Sequence, residues 1–188
     1  MSVITNSYGN VVSSFFGASF GKHIEELLIS PLPNWVILAG YVAGALLRGL
    51  MVGAGVLAVS LFFTPIEVQH PLVMLSVLLL TAIVFALAGM VNAIFAQKFD
   101  DIAIIPTFVL APLTYLGGVF YSISLLPEFW QGVSVFNPIL YMVNGFRYGM
   151  LGVSDVSLAL SYGVILTAGA VLFAWCLYLL HRGTGLRS

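Results

Sequence analysis

Residues 106–152 read PTFVLAPLTYLGGVFYSISLLPEFWQGVSVFNPILYMVNGFRYGMLG. The stretch is apolar enough to lie in lipid, yet Pro106, Pro112, Gly117, Gly118, Pro127, Pro138 and Gly145 interrupt it repeatedly. Lipid offers a broken backbone no hydrogen-bond partner. Each unpaired N–H or C=O costs several kcal/mol there, so irregular backbone at membrane depth has to face protein or a wet cavity. The stretch is therefore expected to rise through a membrane, turn near the far face, dip back partway and return. A functional path is expected beside it.

Composition agrees with a membrane setting. Only 7% of the 188 residues are charged and 61% are hydrophobic, where a soluble domain carries about 25% charged residues. The net charge of −1 gives no basic footprint for nucleic acid. The single cysteine, Cys176, excludes an internal disulfide and sits in an apolar run, where a buried inert thiol is expected. No secretory signal peptide is read, because the N-terminus lacks a basic region and Lys22 is the first cation.

Residues 1–21 carry no charge but are speckled with Thr5, Asn6, Ser7, Asn10, Ser13 and Ser14. A full span needs about 20 predominantly apolar residues. The segment reads either as the closing turns of a span whose beginning is absent or as a polar leader lying at the interface. Residues 22–30, KHIEELLIS, follow a different pattern. Ile24, Leu27 and Leu28 share one helix face and Glu25 and Glu26 point elsewhere. Pro31 and Pro33 then stop the helix. A short amphipathic helix over residues 22–33 is expected to lie flat at the membrane face. It serves either as an ordinary interfacial helix or as a docking handle for a soluble partner.

Spans are expected over residues 35–63, 72–96, 102–122 and 156–180. The first contains two GxxxG pairs, Gly40 with Gly44 and Gly49 with Gly53, which let another helix approach closely. Its only charge is Arg48, near the middle, where a guanidinium costs roughly 3 kcal/mol or more. Arg48 must face the bundle interior or water. The other spans offer no carboxylate, so its expected partners are backbone carbonyls, Asn92, lipid phosphate or substrate. The third span holds Pro106 and Pro112 and is expected to be kinked, with Asp101 in the N-cap position before it. His70 has no second ligand at metal spacing, and Asp100 and Asp101 read as a solvated turn, so no metal site is expected.

Residues 123–150 are expected to form an external re-entrant segment, because Asn137-Pro138 breaks them at the centre and Arg147 ends the apolar run. If the segment returns, Lys22, Lys98, Arg182 and Arg187 share one face and Arg147 stands alone on the other. The positive-inside rule favours that arrangement, with the C-terminus cytoplasmic. The fold class is all-α: a polytopic membrane helical bundle with a flat cytoplasmic helix and a re-entrant hairpin before the last span.

Two motifs add a resemblance. Glu25-Glu26-Leu27-Leu28-Ile29-Ser30-Pro31 is similar to the "E-x-L-L-x-[ST]-P" coupling helix of the type-2 ABC exporter permeases. Phe136-Asn137-Pro138, followed by Tyr141 and Gly145-Phe146-Arg147, is similar to that family's stretch before the last span. The chain resembles the branch of drug-efflux and NodJ-like polysaccharide-export permeases over nearly its whole length. The resemblance implies a six-span inner-membrane permease without cofactor. It pairs with a second copy (a homodimer) and with cytoplasmic ABC ATPase subunits. It also implies that Lys22, Glu25, Glu26, Leu27, Leu28, Ser30 and Pro31 contact the ATPase. The chain begins where the family's second span would be ending. No G-x-x-x-x-G-K-[ST] occurs, so ATP hydrolysis is expected on a partner.

Depth and position nominate Arg48, Asn92, Asn137, Asn144 and Arg147 as residues of a translocation path. Three other classes compete. A secondary transporter or channel would use an intramembrane Asp, Glu or His, and the expected spans carry none. An enzyme needs convergent acid and base groups, whereas Asp100, Asp101, Glu128, His70 and His181 are scattered. A structural membrane protein needs no chemistry, and loss of the gene with no change in any export phenotype would favour it.

Overall fold

The computed structural model describes residues 1–21, 32–63, 68–119, 125 and 127–183. Every regular element among them is helical. In order they are α1 (Ser2–Phe20), α2 (Asn34–Phe63), α3 (Pro71–Phe95), α4 (Phe99–Ile105), a π-helical turn (Pro106–Leu110), α5 (Ala111–Leu116), α6 (Glu128–Val135), α7 (Pro138–Leu151) and α8 (Leu158–Arg182). Three of them are long and apolar enough to cross a membrane: α2 with 30 residues, α3 with 25 and α8 with 25. Of the expected flat helix over residues 22–33, residues 22–31, and with them Lys22, Glu25, Glu26, Leu27, Leu28, Ser30 and Pro31, lie outside the described residues.

Helix α3 is the hub, packing against α1, α2, α7 and α8. Its C-terminal half shares one apolar core with Val11, Phe15, Leu38, Cys176 and Leu179. Its N-terminal half shares a second with Ile4, Tyr8, Ile139, Met142 and Ile165. Helix α1 is thus a packed member of the bundle and not a leader at its edge. Of its polar residues, Thr5, Asn6 and Ser13 bond to carbonyls one turn earlier, whereas Ser7 and Tyr8 bond to neighbouring helices. Asn92 Nδ2 donates to Tyr8 Oη at 2.8 Å, and Ser7 Oγ donates to the Ala45 carbonyl at 3.4 Å. Such bonds hold membrane helices where lipid supplies no hydrophobic drive between them.

The two GxxxG pairs separate in role. A Cβ on Gly49 would stand 2.2 Å from Ser7 Oγ, and one on Gly53 would stand 2.9 Å from Val3 Cγ2, so that pair seats α1 on α2. In the first pair a Cβ on Gly40 would meet nothing, and one on Gly44 would lie 3.8 Å from Asn10 Oδ1 of α1, an ordinary contact. The Cys176 thiol is buried and donates to the Leu87 carbonyl at 3.5 Å, tying α8 to α3.

The third expected span is not a continuous α-helix. Pro106 has no N–H for the Ile102 carbonyl, which would be orphaned in α register. The chain shifts to i→i+5 bonding over Pro106–Leu110. The slip ends where the Ala111 N–H donates to the Pro106 carbonyl. The N-cap expectation is also corrected. Lys98 holds the cap position and Asp101 sits one turn in, reaching back to accept from the Gln97 and Lys98 backbone N–H groups, each at 2.9 Å. Those two donors hold the Asp101 carboxyl below the ordinary carboxylate range. The cap is therefore fully present above that range and is lost as pH falls through the lowered value.

Candidate functional site

Helix α7 carries the candidate site. Asn137 caps it, its Oδ1 accepting from the Ile139 N–H at 3.0 Å, and Pro138 occupies the first helical position, where no N–H is needed. Asn137 Nδ2 also donates to the Leu113 carbonyl of α5. The corner with α6 is closed by Tyr141 Oη, which donates to the Val135 carbonyl at 2.8 Å.

One turn before its end, α7 presents Arg147. Its Nη1 donates to Asp155 Oδ2 at 2.9 Å and its Nη2 to the Gly118 carbonyl at 2.7 Å. Gly118 takes φ 71, a conformation that glycine adopts at no steric cost, and this turns its carbonyl toward the guanidinium. Asn144, fully buried, completes the arrangement. Its Oδ1 accepts from the Asp155 N–H at 2.9 Å and its Nδ2 donates to the Leu140 carbonyl at 2.9 Å. Asn137, Asn144 and Arg147 therefore join three pieces of chain: the end of α5, helix α7 and the loop before α8. The C-terminus of α7 lies against the start of α3, where the His70 N–H donates to the Gly149 carbonyl at 2.9 Å.

Arg48 and Asn92 are not part of this group. Asn92 is buried and engaged with Tyr8, so it is not the partner of Arg48. The Arg48 side chain is exposed on α2, beside the exposed Leu47. Sequence reasoning missed Asp155 and Gly118 as members of the site. The available signal was an opposite charge eight residues after Arg147, across the glycine at 152, in a chain with few charges. Among the described residues no group of three or more His, Cys, Asp or Glu side chains is placed to hold a metal ion. The arrangement offers hydrogen bonds and one ion pair across a junction of helices. It is suited to holding or releasing segments, and it has no convergent acid–base pair.

Comparison with known proteins gives a consistent picture. The sequence model of the ABC-2 type transporter family matches residues 1–151. The chain is 57% identical over 188 residues to the inner membrane transport permease YadH of Escherichia coli strain K12, covering 100% of this chain and 73% of that protein. The protein of the same name from Shigella flexneri is also 57% identical, with the same coverage. Nodulation protein J of Rhizobium leguminosarum bv. viciae is 26% identical over 182 residues, which is 96% of this chain and 70% of that protein.

Proposed function

Since this chain belongs to the ABC-2 type transporter family, as an inner-membrane permease subunit whose ATPase is a separate chain, we propose that it moves a lipid, glycan or drug-like substrate outward. It does so as one of two permease copies worked by ABC ATPase subunits. Lys22, Glu25, Glu26, Leu27, Leu28, Ser30 and Pro31 form the ATPase contact on the cytoplasmic face. Helices α6 and α7 form the hairpin that re-enters from outside. Asn137, Asn144 and Arg147 hold the outer exit, and Arg48 and Asn92 border the path.

The observation that carries this reading is the junction at α7 inside the family-matched region. Asn137 meets Leu113 at one end of α7, and Gly149 meets the start of α3 at the other. A helix so disposed runs between levels of the bundle, as a returning segment does. Cleaving ATP against the coupling segment would shift α1 and α2, which pack on each other and on α3. Deleting residues 22–33 is expected to abolish co-purification of the ATPase while the permease stays in the membrane fraction. Retention of the ATPase by that deletion overturns the contact.

Arg48 has its own support. A guanidinium at mid-span facing bare lipid costs roughly 3 kcal/mol or more, so the outer face of α2 has to be covered by a second copy or open on a wet path. Arg48→Gln is expected to lower complementation of a strain lacking the homologous permease, with the membrane level of the protein unchanged. Full complementation would remove Arg48 from the path.

A further inference from the structure

The last turn of α8 carries His181 and Arg182, and the helix closes at Gly183, whose φ is 65. Beside it the chain enters α2 through Pro33, Asn34 and Trp35. Between the two lies an open groove of about 590 Å³, lined by these three residues with Leu177, Tyr178 and His181. That volume falls within the roughly 300–1,000 Å³ range of small-molecule sites. The Arg182 guanidinium stands 4.9 Å from the centroid of the Tyr178 ring, which lines the groove, so the ring holds the cation beside it. Among the described residues no carboxylate is ion-paired with His181 or Arg182. Trp35 and Tyr178 are half exposed. Both stand at ends of membrane-length helices, the level at which aromatic side chains meet headgroups.

We propose that this groove binds the headgroup of an anionic phospholipid. The guanidinium offers the planar fork that matches a phosphate, which an ammonium cannot reproduce. His181, the Asn34 amide and the Trp35 indole N–H supply further donors in the lining of the groove. Leu177 and Trp35 give the same lining an apolar surface for the glycerol and the first acyl carbons. That surface, at the membrane boundary, selects a lipid over free phosphate. Basic pockets between membrane helices bind anionic headgroups on the same physical grounds. The groove opens beside Pro33, directly after the segment assigned to the ATPase contact, so an occupying lipid would brace the start of α2 where motion would enter it. The proposal requires only that α2 and α8 cross the membrane. It stands or falls apart from the ATPase contact and the direction of transport.

The test is native mass spectrometry of the full chain released from nanodiscs that contain phosphatidylglycerol and phosphatidylcholine in equal amounts. The chain is expected to retain phosphatidylglycerol preferentially. His181→Gln with Arg182→Gln is expected to reduce that retention by about five-fold or more, with phosphatidylcholine unchanged. Arg182→Lys is expected to fall between, because it keeps the charge and loses the fork. Circular dichroism of each variant checks that the helices persist, and both side chains are exposed. Equal retention of phosphatidylglycerol by the parent and the double variant overturns the site, as does equal retention of the two lipids by the parent. Displacement of the lipid by millimolar inorganic phosphate would overturn the choice of a lipid ligand.

Discussion

Gly149→Ala is expected to destabilise the packing of α7 against α3. A Cβ at that position would stand 2.6 Å from both the N and the Cα of Met74. Those are backbone atoms of α3, so nothing can swing aside. The two helices are further held together there by the His70 N–H on the Gly149 carbonyl at 2.9 Å and the Gln69 N–H on the Met150 carbonyl at 3.2 Å. The added methyl has to force α7 off α3, and overpacking of this kind costs roughly 1–3 kcal/mol. Alanine also returns about 1 kcal/mol of helix propensity relative to glycine. Gly145→Ala is the control, because a Cβ there meets Val77 Cγ2 at 3.1 Å, a side-chain atom that can yield. In thermal melts of the detergent-solubilised protein, Gly149→Ala should lower Tm clearly and Gly145→Ala should leave it near the parent value. Equal melting of Gly149→Ala and the parent would mean that α3 and α7 are not in backbone contact.

Arg147→Gln is expected to cost transport far more than Asp155→Asn does. The ion pair is partly solvated, with side-chain exposures of 24% and 34%. A pair of that kind contributes about 0–1 kcal/mol. The second bond differs. Arg147 Nη2 serves the Gly118 carbonyl at 2.7 Å in a part-buried position. Hydrogen bonds to charged groups are worth about 1.5–3 kcal/mol, so losing this one shifts the population of the joined state by roughly ten- to a hundred-fold. Complementation and membrane abundance, measured for Arg147→Gln, Arg147→Lys, Asp155→Asn and the double variant, separate the two contacts. Lysine should rescue in part, and the coupling between Arg147 and Asp155 should stay below about 1 kcal/mol. If Asp155→Asn is as damaging as Arg147→Gln, the ion pair and not the carbonyl contact joins the segments.

Family and helix placement were largely legible in the sequence. The motifs at Glu25 to Pro31 and at Phe136 to Arg147 pointed to ABC permeases, and the matches over residues 1–151 and to YadH bear that out. The first, second and last expected spans coincide with α2, α3 and α8 to within two residues, because proline and polar turns bound long apolar runs sharply. Helix α1 stayed ambiguous for a physical reason. Hydropathy counts Ser7 and Asn10 as water-seeking, but a hydroxyl bonded to a neighbouring helix carbonyl, as Ser7 is to Ala45, loses that preference. The partner of Asn92 was misjudged for the same reason, since Tyr8 lies 84 residues away and only packing brings it close. The pairing of Arg147 with Asp155 depends on the left-handed turn at Gly152, with φ 72, which no spacing rule supplies. Pro106 announced a kink, but the i→i+5 register that follows it is decided only once the chain is folded.

The slip at Pro106–Leu110 sets the rotational phase of everything after it. One residue more or fewer in a helix turns all later side chains and carbonyls by about 100°. Leu113 and Gly118 meet Asn137 and Arg147 only in the phase that the slip provides. A single-residue deletion between 106 and 110 would leave the hydropathy profile and both family motifs intact. It can be absorbed only by closing the slip to α register, which keeps the phase and leaves the carbonyl four residues before the proline without an N–H.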